Sequence, residues 1–244
     1  MALCTVQFFS TSLAKQTAMN VILPDAPRGR LPVLYLLHGL SDDYTAWQRY
    51  TRLEKHAAGR RLIIVMPDGA RSFYVNSAAA GAYEDAIVKD VVGAVERIGP
   101  AGRRREGRAI AGLSMGGYGA MSLGLKHPGL FAAISSHSGA FGVARRLRER
   151  PGFEPLVPVL ARKANECRAL AKAVAAKRRR PAIRFDCGVD DGLIESNRAF
   201  HGHLDRLGLT HDYREYPGAH TWEYWDAHIA ETLDFVLAHT RGAK

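Results

Sequence analysis

Ala109-Ile110-Ala111-Gly112-Leu113-Ser114-Met115-Gly116-Gly117 runs from a short apolar strand into a serine with glycines two residues to either side. That spacing suits a sharp strand-to-helix turn, which lifts the serine side chain clear of the top of a sheet in a strained backbone conformation. A Cβ at the flanking positions would crowd such a turn. Tyr118 to Lys126 follows with helical character, so Ser114 opens a helix whose free N–H groups favour negative charge. These are the requirements of an acyl-transfer nucleophile.

Outward from this turn, apolar strands and amphipathic helices alternate. Leu31 to Leu37 reads as a buried strand ending at His38-Gly39-Leu40, and Leu62 to Met66 as another ending at Pro67-Asp68-Gly69. A helix is expected from about Trp47 to Ala58. Another spans Tyr83 to Ile98, where Ile87, Val91, Val92, Val95 and Ile98 repeat at helical spacing. Strands at Phe131 to Ser136, Ala182 to Cys187 and His211 to Tyr216 follow, with helices at Glu195 to Leu207 and Trp222 to His239. Two early segments, Thr5 to Ser10 and Ala18 to Leu23, start the sheet in antiparallel fashion, and the turn-rich residues 24–29 lead out of them. The pattern gives an α/β fold with a mostly parallel, doubly wound sheet. The expected organisation is one domain over 1–244. Pro151, Pro155 and Pro158 interrupt the stretch 141–180, which reads as a small cap over the site.

A serine hydroxyl needs an imidazole to take its proton, and the imidazole needs an oriented carboxylate. In sheets of this kind the chain order is Ser, then Asp or Glu, then His. His220 lies between the last strand and the last helix, where it can reach the same rim. The acid must follow the strand 182–187, where Asp190 and Asp191 are adjacent candidates that spacing alone does not separate. The developing oxyanion needs two fixed N–H donors. Met115, next after the serine, supplies one, and Leu40, after the first buried parallel strand, supplies the other. Tyr44, Trp47, Tyr74 and Trp222 are candidate pocket walls.

Composition narrows the alternatives. The 244 residues contain no apolar run long enough to span a bilayer, and the N-terminus lacks a basic leader. Three cysteines, odd in number and far apart, point to free thiols and a cytoplasmic setting. The net charge of +10 raises the question of nucleic acid or an anionic surface. Its arginines and lysines gather at 28–30, 60–61, 103–108 and 177–180, each just before a strand. Those positions lie on the edge of the sheet away from the site, so no nucleic acid or membrane partner is expected. The non-enzyme alternative is a polyanion-binding protein on a hydrolase scaffold. No His/Cys cluster or calcium-loop spacing is present, so no catalytic metal is expected.

Beyond these separate readings, the chain resembles the putative esterase family that includes esterase D, S-formylglutathione hydrolase and bacterial tributyrin or acetyl esterases. The likeness rests on Leu36-Leu37-His38-Gly39-Leu40-Ser41, Val65-Met66-Pro67-Asp68, the Ser114 motif, Cys187-Gly188 with Asp191 and Leu193, and Gly218-Ala219-His220-Thr221-Trp222 with Trp225. It is strongest to the acetyl esterases. The resemblance implies an α/β-hydrolase fold, short-chain carboxylic ester substrates, no cofactor and possible self-association, and it selects Asp191 over Asp190. Thioester hydrolysis of the S-formylglutathione type and feruloyl or acetyl-xylan esterase activity are the alternatives it carries.

Overall fold

Eight strands form one sheet in the computed structural model, which describes residues 1–25 and 28–242. They are β1 (Ala2–Ser10), β2 (Lys15–Leu23), β3 (Val33–Leu37), β4 (Ile63–Pro67), β5 (Arg108–Leu113), β6 (Ala133–His137), β7 (Ala182–Gly188) and β8 (Asp212–Tyr216). Their order across the sheet is β1-β2-β4-β3-β5-β6-β7-β8. The first two strands pair antiparallel and β2 meets β4 antiparallel, whereas β4 through β8 run parallel. The expected mostly parallel α/β sheet is therefore present. The turn read over 24–29 includes residues 26 and 27, which lie outside the described residues.

Strands β3, β4, β5 and β6 are buried along their whole length because helices cover both faces. One face packs Tyr35, Val65, Ile110 and Ile134 against the helical segment 83–98 and against α4 (Met115–Lys126), α7 (Cys167–Ala175) and α8 (Ile194–Arg206). The other packs Leu34, Leu36, Ile64 and Ala111 against α1 (Ala46–Tyr50), α2 (Leu53–Ala57) and α9 (Trp222–His239). Segment 83–98, numbered α3, winds as a π-helix over Ala86–Val91.

The helix expected from Trp47 to Ala58 is instead two short ones. Thr51 is extended (φ −133°, ψ 169°) between them. Asp226 of α9 accepts both the N–H of Arg52 and its guanidinium, each at 2.8 Å. A tertiary contact thus pins the break, which sequence periodicity does not report. Between β6 and β7 the chain leaves the sheet through α5 (Val143–Arg146), α6 (Val157–Leu160) and α7.

The basic groups precede β3, β4, β5 and β7, at the N-terminal edge of the parallel strands. Many of them have structural partners there. Arg108 pairs with Glu96, Arg60 with Asp234 and Arg179 with Glu106. Arg105 caps the carbonyls of Pro128 and Arg180. Among the described residues, no helix is long and apolar enough to cross a membrane.

Candidate active site

The chain proceeds from β3 to β4 on one side and returns to β5 on the other, so the crevice at the carboxyl ends of β3 and β5 is the switch point of the sheet. Ser114 stands there, between β5 and α4, with φ +54° and ψ −114°. A non-glycine residue in that region is strained, and its surroundings must hold it. Its N–H donates to the His137 carbonyl at 2.9 Å. Its own carbonyl accepts from the N–H groups of Tyr118 and Ala140, at 3.0 and 3.1 Å. The glycines permit the close approach this requires. A Cβ on Gly112 would sit 2.5 Å from the Gly116 carbonyl oxygen, and one on Gly116 would sit 2.5 Å from that of Leu37.

Three side chains separated by up to 106 positions in sequence meet at this rim. The Ser114 hydroxyl donates to His220 Nε2 at 2.9 Å. On the other side of the ring, His220 Nδ1–H donates to Asp191 Oδ2 at 2.8 Å. Asp191 is buried, and its second oxygen accepts the Leu193 N–H at 2.7 Å. Asp190 is exposed; it contributes its backbone N–H to the Gly218 carbonyl at 3.0 Å, tying the loop after β7 to the loop after β8. Burial alone would push the Asp191 carboxyl up. The hydrogen bond and charge of His220, with further bonds from Ser138 and the Leu193 N–H, hold it below the usual carboxylate range. Trp225 packs edge-on against the His220 ring at 5.0 Å and donates Nε1–H to Ser138 Oγ at 3.2 Å. Ser138, itself at φ +49°, is thereby tied to the terminal helix and helps hold the Asp191 carboxyl down. Sequence reasoning did not single it out, and no local pattern marks it.

Leu40 and Met115 face the same cavity of about 420 Å³, together with Ser114, Asp191 and His220. Met115 is the first residue of α4, so its N–H has no intrahelical acceptor. The loop carrying Leu40 is clamped from behind. Gly69 N–H donates to His38 Nε2 at 2.8 Å, which leaves the His38 proton on Nδ1 to donate to the Gly39 carbonyl at 2.7 Å. Gly39 N–H in turn donates to Asp42 at 3.0 Å.

None of the four aromatic residues expected as pocket walls lines this cavity. Trp47 is buried in the core, and its Nε1–H donates to the Leu37 carbonyl at 3.0 Å. Tyr74 is buried too, and its hydroxyl donates to the His38 carbonyl at 3.0 Å. Both thus brace the Leu40 loop, because a large ring with one polar atom serves well as a buried strut. Trp222 packs on Trp47, Tyr50 and Trp225, and Tyr44 is half-buried outside the cavity. The apolar wall comes from Phe73, Ala140, Val143, Leu147 and Leu193, and the rim from Arg146 and Arg150. Val143 to Arg150 belong to the excursion after β6, whose residues carry no motif that would have exposed them individually.

A second buried chain of hydrogen bonds lies beneath the site. His137 Nδ1 meets Asp186 at 2.9 Å, and His137 Nε2 meets Thr232 Oγ1 at 2.9 Å. Arg184 and the Tyr224 hydroxyl donate to the same carboxylate, at 2.6 and 3.0 Å. Composition alone makes it look like a second charge relay, but all of it is buried away from the cavity. Its effect is structural: it fixes the end of β6, whose His137 carbonyl holds the Ser114 N–H. At the opposite edge of the sheet, His201, Asp205 and His211 bring ligand atoms within 4.8 Å of one another.

The family model described as "Putative esterase" matches residues 10–236. The chain belongs to this esterase family. The esterase is 28% identical over 261 residues to an acetyl esterase of Caldicellulosiruptor saccharolyticus, covering 97% of this chain and 98% of that one. The fluorophosphonate-binding serine hydrolase F of Staphylococcus aureus superposes with a TM-score of 0.89 at 29% identity, over 97% of this chain and 98% of its own. An S-formylglutathione hydrolase from Staphylococcus aureus superposes with a TM-score of 0.87 at 31% identity and the same coverage. The esterase therefore has an α/β-hydrolase fold and is a carboxylic ester hydrolase.

Proposed function

We propose that this esterase is a serine carboxylesterase that removes short, acetyl-type acyl groups by way of an acyl-enzyme on Ser114. The observation that carries the reading is the unbroken chain from Ser114 Oγ through His220 to the buried Asp191, with bonds of 2.9 and 2.8 Å. Ser114 Oγ attacks the ester carbonyl while His220 Nε2 takes its proton. Asp191 keeps the ring in the tautomer that leaves Nε2 free to accept, and it stabilises the imidazolium as it forms. The carbonyl electrons move onto oxygen, where the N–H groups of Leu40 and Met115 receive the charge; each such donor is worth about 3–4 kcal/mol in comparable sites. Collapse of this intermediate expels the alcohol, which takes the proton back from His220. Water then repeats the sequence and frees the acid.

Short acyl groups suit the modest cavity and the likeness to an acetyl esterase. We read 141–180 as a cap, since Val143, Leu147, Arg146 and Arg150 form part of the cavity wall. The likeness to an S-formylglutathione hydrolase supports a second reading, thioester hydrolysis by the same residues. Three free cysteines fit a reducing, cytoplasmic setting.

The test is a p-nitrophenyl ester series from acetate to octanoate alongside S-formylglutathione. The proposal expects kcat/KM to be highest at two to four carbons and to exceed that for the thioester. A maximum at eight carbons, or preference for the thioester, would replace it with another acyl specificity.

A further inference from the structure

The rim of the proposed catalytic cavity carries cationic groups that have no carboxylate partner among the described residues. Arg146 and Arg150 both line the cavity. Arg146 donates Nη1–H to the carbonyl of Gly192, the residue next to Asp191, at 2.8 Å, which fixes its guanidinium beside the acid's loop. The Arg150 guanidinium lies over the Phe153 ring at 5.5 Å, and that of Arg71 lies over the same ring at 4.7 Å. Phe153 meets Phe73 edge-on at 6.1 Å, and Phe73 lines the cavity. Two guanidiniums thus stand at the opening, held by a carbonyl and a buried ring, and that of Arg71 lies over the same ring. Among the described residues, no carboxylate lies within ion-pair distance of any of the three, whereas the basic groups at the far edge of the sheet include several ion pairs. The one carboxylate lining the cavity, Asp191, is already bonded to His220.

The three side chains are exposed, and like charges held near one another at a cleft raise the local potential and favour an anion there. Arginine is suited to that role, because its planar fork bonds carboxylate or phosphate oxygens in a bidentate fashion. We infer that Arg146 and Arg150 select esters carrying a carboxylate or phosphate near the scissile bond, with Arg71 adding to the field. This rests on the esterase reading of the same cavity, and adds that the substrate is anionic.

The experiment compares matched pairs of esters, one with the charge on the alcohol side and one with it on the acyl side. 4-Acetoxybenzoate is set against its methyl ester, and the p-nitrophenyl monoester of glutaric acid against p-nitrophenyl valerate. For each pair the anionic-to-neutral ratio of kcat/KM is measured in the parent, in Arg146→Gln, in Arg150→Gln and in the double variant. Normalising to the parent removes the intrinsic reactivity of each ester, and circular dichroism verifies that the variants fold. The inference expects the ratio to fall threefold or more in the double variant for at least one pair, and the parent's ratio to shrink as salt is raised. A ratio that stays within threefold of the parent's in both pairs overturns it. The pair that responds shows which side of the ester the arginines face. Failure of the parent to cleave even the neutral esters would overturn the esterase reading instead, so the two failures are distinguishable.

Discussion

Replacing Gly116 with alanine puts a methyl group where the end of β3 meets the start of α4. Its Cβ would lie 2.5 Å from the Leu37 carbonyl oxygen and 2.6 Å from that of His38. Both obstacles are backbone, so neither can rotate away. Relief to the closest approach a Cβ tolerates needs a separation of about 0.5 Å between strand and helix, and such overpacking costs about 1–3 kcal/mol of stability. The two ends being forced apart are those that carry Leu40 and Met115. On the proposed mechanism, an N–H about 2.9 Å from the oxyanion would then move to about 3.4 Å, beyond the usual N–H···O range. Losing one such donor outright costs about 10²–10³ in kcat, so partial loss is expected to cost about 10–100-fold, with KM for p-nitrophenyl acetate changed little. Urea unfolding gives the stability term, and steady-state kinetics on the folded variant give the catalytic one. Gly129→Ala is the control, because nothing lies within 4 Å of its Cβ. A folded Gly116→Ala enzyme with kcat within twofold of the parent would refute the reasoning that these two loops form the oxyanion site.

Other expectations follow from the same geometry. Asp191→Asn should lower kcat by about 10³–10⁴-fold, since an amide leaves the imidazole in the wrong tautomer. Asp190→Asn, on the exposed neighbour, should stay near the parent in the same assay. Tyr74→Phe should cost about 1 kcal/mol in urea unfolding by removing the bond to the His38 carbonyl, while KM for p-nitrophenyl acetate stays put; a large rise in KM would return Tyr74 to the pocket wall. Acid should destabilise the fold partly through Asp186. Burial would raise this carboxyl, but His137 and Arg184 hold it below its ordinary value. Its contribution is therefore fully present above the unfolded carboxylate pKa of about 4 and is lost as pH falls through the lower folded value. Unfolding free energy measured from pH 7 to pH 3 should fall less steeply in Asp186→Asn, and an unchanged slope would contradict this.

What the sequence reveals about this protein is local or ordered along the chain. The elbow around Ser114 is legible because two glycines and a strand-to-helix transition are contiguous, and His220 because it sits between the last strand and the last helix. That Leu40 faces the cavity is legible from its place after the first buried parallel strand. Spacing does not choose between Asp190 and Asp191, since both lie on one loop; the family resemblance selects Asp191, and the folding of that loop sends its side chain under His220. Trp47 and Tyr74 look like pocket residues because they flank loops that reach the site. Their polar atoms turn inward to the Leu37 and His38 carbonyls, an arrangement set by tertiary packing alone. The break at Thr51 depends on Asp226, 174 positions beyond Arg52. Arg146 and Arg150 belong to a proline-broken stretch, and no sequence periodicity announces that they line the cavity.

The central claim is that Ser114 is the nucleophile, and covalent capture examines it most directly. The enzyme is to be treated with a fluorophosphonate, digested, and the modified residue located by tandem mass spectrometry, with p-nitrophenyl acetate turnover followed in parallel. The account predicts one phosphonyl group on Ser114, loss of turnover in step with labelling, and neither labelling nor turnover in a folded Ser114→Ala variant. A label on another residue, or turnover that survives that substitution, would contradict it.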